Sequence, residues 1–83
     1  MSQRLRYSQH ALQRLDERGI LRCWVDAVVG TTPQVYGRDQ VFTLSAGELA
    51  LRCGGEFRDG LRVVVDSFRR RVVTVYWLDR GAV

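Results

Sequence analysis

No lysine occurs in this chain, so all 13 of its basic side chains are arginine. Lysine chemistry is thereby excluded, and arginine offers the planar, bidentate phosphate contacts that lysine cannot make. A high-GC coding bias accounts for the arginine content equally well. A single histidine, His10, is present. It cannot complete a zinc set with two cysteines that form no Cys-x-x-Cys unit. Nor can one histidine activate Ser8 or Ser45 as a nucleophile and also serve elsewhere, so both serines read as helix caps. Cys23 and Cys53 lie 30 positions apart and are expected as buried free thiols, with a disulfide as the open alternative. Only one proline occurs and the apolar residues are periodic, which argues against disorder. No apolar run approaches the ~20 residues needed to cross a bilayer. A polar segment follows Arg4 and Arg6 and shows no secretory signal. The expectation is a soluble, cytoplasmic protein that binds no membrane. The chain has no P-loop, no Gly-x-Gly-x-x-Gly and no paired-carboxylate motif, and no cofactor is expected.

The 83 residues form one domain, 46% of them hydrophobic, with a net charge of +4. That size is near the lower limit for a single unaided core. The basic balance suits a polyanionic partner such as nucleic acid, or an acidic protein.

The pattern of apolar residues and caps predicts the elements. Ser8 caps a helix over about Gln9 to Arg18, with Ala11, Leu12 and Leu15 on its apolar side. Gly19 ends it in a left-handed conformation, with Ile20 as the apolar contact that follows. A second helix fits Leu21 to Val29, its stripe made of Trp24, Val25, Val28 and Val29, and the two are expected as a hairpin across Gly19. Residues 33–39 read as a loop and Gln40 to Leu44 as a strand. Ser45 and Glu48 form a capping-box pattern for a short helix ending at Gly54. A strand over 48–52 is the alternative. Leu61 to Asp66 and Arg71 to Leu78 are the strongest strands, joined as a hairpin. The order α-α-β-α-β-β predicts an α+β fold, an N-terminal helical hairpin packed on a small antiparallel β-sheet.

Two constellations carry chemistry. His10, Arg14 and Arg18 recur at steps of four and share one helix face. Metal-free RNA cleavage needs a group that takes the 2′-OH proton, a proton for the leaving oxygen and positive charge at the phosphate. An imidazole and two guanidiniums suit those tasks. The same spacing also describes an ordinary solvated face with Glu17 pairing to an arginine. Thr74 and Tyr76 alternate with Val73, Val75 and Trp77 on the last strand. If the valines and Trp77 face inward, Thr74 and Tyr76 are left on the open side, where they could meet a phosphate or stack on a base. They are also simply good strand residues. Arg69, Arg70 and Arg71 form a basic tip, either a nonspecific nucleic-acid contact or a solvated turn that blunts a sheet edge. Trp24 and Trp77 are expected in the core.

The string Tyr-Ser-x-His-Ala-Leu-x-Arg-Leu-x-Glu-Arg-Gly-Ile at residues 7–20 resembles the opening motif of the domain of unknown function 4258 family. Leu61 to Asp66 and Val72 to Trp77 resemble that family's last two strands, whereas residues 31–60 match poorly. The family is bacterial and is similar to the RelE-like and barnase–EndoU–colicin-type ribonuclease toxins. The resemblance implies a RelE/barnase-like fold and metal-independent RNA cleavage through the 2′-OH. His10 would be the general acid or base, Arg14 or Arg18 would steady the phosphate, and Thr74 and Tyr76 would contact it from the sheet. The second proton transfer would fall to Tyr76, Glu17 or water. RNA and a neutralising antitoxin or immunity protein are the implied partners. Two other readings stand beside it: a noncatalytic protein- or nucleic-acid-binding module using the same face, and a scaffold domain that forms a homodimer through an apolar sheet face.

Overall fold

A computed structural model describes residues 5–78; Arg4, on which the reading of the N-terminus partly rests, lies outside them. In chain order the elements are β1 (Arg6–Tyr7), α1 (Gln9–Arg18), α2 (Arg22–Val29), β2 (Gln34–Tyr36), β3 (Asp39–Leu44), α3 (Ala46–Cys53), β4 (Gly60–Asp66) and β5 (Arg71–Leu78). The strands form one sheet of order β1-β5-β4-β3-β2. The fold is α+β, but the sheet is mixed rather than antiparallel, because β1 runs parallel to β5, pairing Arg6 with Arg71 and Tyr7 with Val72. The chain therefore reads β-α-α-β-β-α-β-β.

Local chemistry explains the helix boundaries. The Ser8 hydroxyl accepts from the Ala11 amide, and Gly19 adopts φ 61° beyond the last turn. The Ile20 amide then reaches back to the Leu15 carbonyl at 2.9 Å, closing a Schellman ending that tucks Ile20 into the core. Ser45 accepts from the Glu48 amide, and α3 is a helix rather than a strand. The segment expected as a loop at 33–39 holds β2 and a tight turn: Tyr36 pairs with Asp39, leaving Gly37 and Arg38 as a two-residue connection with Gly37 at φ 62°. Glycine at the first turn position supplies the twist such a hairpin needs.

One face of the sheet carries the core. Phe42 and Leu44 of β3, Leu61, Val63 and Val65 of β4, and Val72 and Val75 of β5 are buried against Ala11, Leu15, Val25, Val28 and Leu49 of the helices. The helical hairpin is not the packing unit: α1 packs on β5 and β1, while α2 packs on α3, β4 and β3. A further correction concerns β5. Val64 pairs with Thr74 but Val65 pairs with Val72, so the register slips at Val73. This bulge inserts one residue and shifts the alternation. Val72 and Val75 are fully buried, and Val73 is only half-buried. Cys23 and Cys53 are free thiols as expected, but Cys23 is exposed because it lies off the apolar stripe of α2, and Cys53 is only half-buried, packing against the core from the last residue of α3. Among the described residues no helix is long and apolar enough to cross a membrane.

Candidate functional site

The parallel pairing of β1 covers only the first two residues of β5. Beyond them the outer edge of β5 lies against α1, and side chains bridge the two. The Ser8 hydroxyl donates to the Val73 carbonyl at 3.2 Å, and the Arg18 guanidinium donates to the Val75 carbonyl at 2.7 Å. The Trp77 indole N–H returns a bond to the Arg18 carbonyl at 3.0 Å. Backbone oxygens on a strand edge need partners, and among the described residues α1 and its cap supply them here.

This docking creates an open cleft of about 520 Å³ lined by His10, Arg14, Arg18, Thr74, Tyr76 and Trp77. That volume lies within the range of small-ligand sites. The five residues singled out on α1 and β5 thus share one concavity, although Arg18 and Val75 are 57 positions apart in sequence. Their situations differ. His10 is exposed, and the Arg14 Nε stands 3.4 Å from its Nε2. Arg14 also pairs with Glu17 at 2.7 Å, with side-chain exposures of 34% and 44%. An ion pair this solvated contributes about 0–1 kcal/mol, so an incoming phosphate can displace Glu17 at little cost. Arg18 is committed to the strand edge and contributes only its remaining donors to the cleft.

Cross-strand register brings in a residue that sequence reasoning missed. Arg62 lies opposite Tyr76 on β4. Its guanidinium sits 6.0 Å from the centre of the Tyr76 ring, 3.5 Å from the phenol oxygen and 3.1 Å from the Thr43 hydroxyl. Aligning the two strongest strands as a hairpin is the signal that places Arg62 there. Trp77, expected in the core, packs against it but is only half-buried and also forms one wall of the cleft.

The basic tip is not part of this cleft. Arg69 and Arg70 are exposed in the β4–β5 turn, Arg70 at φ 50°, and Arg71 begins β5. At ~3.3 Å per strand residue, Arg71 lies roughly 10 Å from Thr74 along the strand. The tip instead joins Arg6, the β1 neighbour of Arg71, and Arg38, which stacks 4.6 Å above the Phe68 ring. Asp66 organises the turn by accepting from the Phe68 and Arg69 amides at 2.9 and 3.3 Å. Desolvation raises its carboxyl, but those amides and the charges of Arg38 and Arg69 outweigh it and hold the group below its ordinary range.

No group of three or more metal-ligating side chains occurs among the described residues. No family model, curated protein or solved structure matches the chain. The cleft itself therefore bears the functional argument. It offers one imidazole, two guanidiniums, a hydroxyl and a phenol, with no carboxylate among the described residues that line it. That donor set suits a phosphodiester.

Proposed function

We propose that the cleft between α1 and β5 binds the RNA backbone and cleaves it through the 2′-OH without a metal ion, in the manner of a small toxin-like ribonuclease. The observation that carries this reading is the convergence of His10 and Arg14 with Thr74 and Tyr76 around one open cleft. Arg14 holds the phosphate, which places the scissile group beside the imidazole. His10 takes the 2′-OH proton. The 2′-oxygen attacks phosphorus, the bond to the 5′-oxygen breaks, and the departing oxygen takes a proton from the Tyr76 phenol. The Arg62 guanidinium, 3.5 Å away, supports the phenolate until water returns the proton. The products are a 2′,3′-cyclic phosphate and a 5′-hydroxyl. Such an activity implies an antitoxin or immunity protein that covers the cleft, and action in the cytoplasm. The resemblance to the domain of unknown function 4258 family and to RelE/barnase-like toxins supports the same reading through residues 7–20 and the last two strands.

The test is incubation of purified protein with RNA in EDTA, comparing His10→Ala. Cyclic-phosphate products with the wild type and their loss with the variant support the assignment. Intact RNA in both samples at high protein concentration removes it.

A noncatalytic nucleic-acid-binding module is the second reading. It is favoured by the engagement of both guanidiniums within the fold, Arg14 with Glu17 and Arg18 with Val75. On that reading His10→Ala leaves RNA affinity unchanged, while Arg14→Glu weakens it in a salt-dependent way.

A further inference from the structure

A second cavity, of about 200 Å³, is lined by Trp24, Glu56, Phe57, Arg58, Asp59 and Trp77. It is independent of the RNA reading, although Trp77 lines both hollows. Trp24 comes from α2, Trp77 from β5, and Phe57 from the connection between α3 and β4. The Trp24 and Phe57 rings meet at 79° with centroids 5.0 Å apart, and Trp24 and Trp77 meet at 59° and 5.8 Å. Rings set at such steep angles form the walls of a corner, and each aromatic face carries negative potential.

The charges around the corner point the same way. Glu56 and Asp59 line it, and among the described residues neither makes an ion pair or a side-chain hydrogen bond. On a chain with net charge +4, an aromatic pocket edged by two carboxylates and one exposed arginine is locally acidic. Its volume is below that of a drug-sized site, so it takes a head group rather than a whole ligand. We propose that this pocket binds a quaternary ammonium group. The aromatic faces attract the diffuse cation, which sheds water readily, and Glu56 and Asp59 balance its charge. A point-like ammonium keeps its hydration shell and is disfavoured.

Titration with choline, followed by tryptophan fluorescence and the indole N–H signals of Trp24 and Trp77, tests the assignment. The uncharged carbon analogue 3,3-dimethyl-1-butanol is the control, since it has the same shape without the charge. We expect saturable binding of choline with a Kd on the order of 1 mM, as befits so small a ligand. The analogue should bind about fivefold or more weakly. The double variant Glu56→Gln, Asp59→Asn should reduce choline binding and leave the analogue unaffected, a pattern that a misfolded variant does not give. Arg58→Gln should tighten choline binding by about twofold. A trimethyllysine peptide titrated separately distinguishes the source of the head group: tighter binding of the peptide than of choline supports a protein-borne group, and the reverse supports a free one. Equal binding of choline and the analogue, or no saturable change with choline on the order of 100 mM, overturns it.

Discussion

Replacing Arg18 with alanine deletes the donor that meets the Val75 carbonyl at 2.7 Å on the open edge of β5. A charge-assisted bond of this length contributes more than a neutral one, and its loss leaves a strand-edge oxygen without a partner under α1. The expected destabilisation is about 2 kcal/mol. For a domain of this size that lowers Tm by about 10 °C. Arg14→Ala is the matched control. It removes the same side chain from the same helix, one turn earlier, but breaks only solvated contacts, the pair with Glu17 and the 3.4 Å contact with His10. That change should cost about 0–1 kcal/mol, and alanine's helix propensity offsets part of it. Thermal or urea unfolding of both variants therefore separates the two arginines of one stripe: a structural Arg18 and an Arg14 free for ligand. Equal losses of stability would refute the reasoning, because the bond to Val75 would then contribute no more than a surface ion pair.

Two glycines should respond to alanine with opposite signs. A Cβ at Gly60 would stand 2.6 Å from the Leu44 carbonyl oxygen, so Gly60→Ala forces the backbone apart and should cost about 1–3 kcal/mol in urea unfolding. Gly47 lies within α3 with nothing near its missing side chain, so Gly47→Ala should raise stability by about 0.5–1 kcal/mol. Asp66 gives a pH signature. Its folded-state pKa is lowered from 3.8, so its contribution is present above that value and is lost as pH falls through the lower folded value. Acid unfolding below about pH 4 should therefore carry a component that Asp66→Asn lacks, and an NMR titration should place the Asp66 midpoint below the ordinary carboxylate value. A midpoint at or above it contradicts the turn geometry.

Much of this architecture was legible in the sequence, and the reasons are local. Ser8 and Gly19 punctuate α1, and Ser45 with Glu48 marks α3, because caps act within a few residues of the chain. The strands β4 and β5 were legible from their valines and aromatics. The strands β1 and β2 were not: a two-residue and a three-residue segment carry no periodicity, and only pairing with β5 and β3 makes them strands. Gly37-Arg38 was the available signal for β2. On β5 the alternation groups Thr74 with Tyr76, and both line a cleft with His10 and Arg14, but Trp77 from the opposite set lines it too. The bulge at Val73 escaped notice, because a register slip is a property of two strands together. So did the structural duty of Arg18, since a helix wheel shows which residues share a face but not which carbonyl lies across from it.

The central claim is that α1 and β5 jointly form the RNA site. The most direct measurement maps backbone amide shifts while the protein is titrated with a short RNA whose 2′-hydroxyls are replaced by hydrogen, which prevents cleavage. The account predicts that shifts concentrate at His10, Arg14, Thr74 and Tyr76 together and weaken in parallel in Arg14→Ala. Shifts confined to the Asp66–Arg71 turn, or none at all, would contradict it.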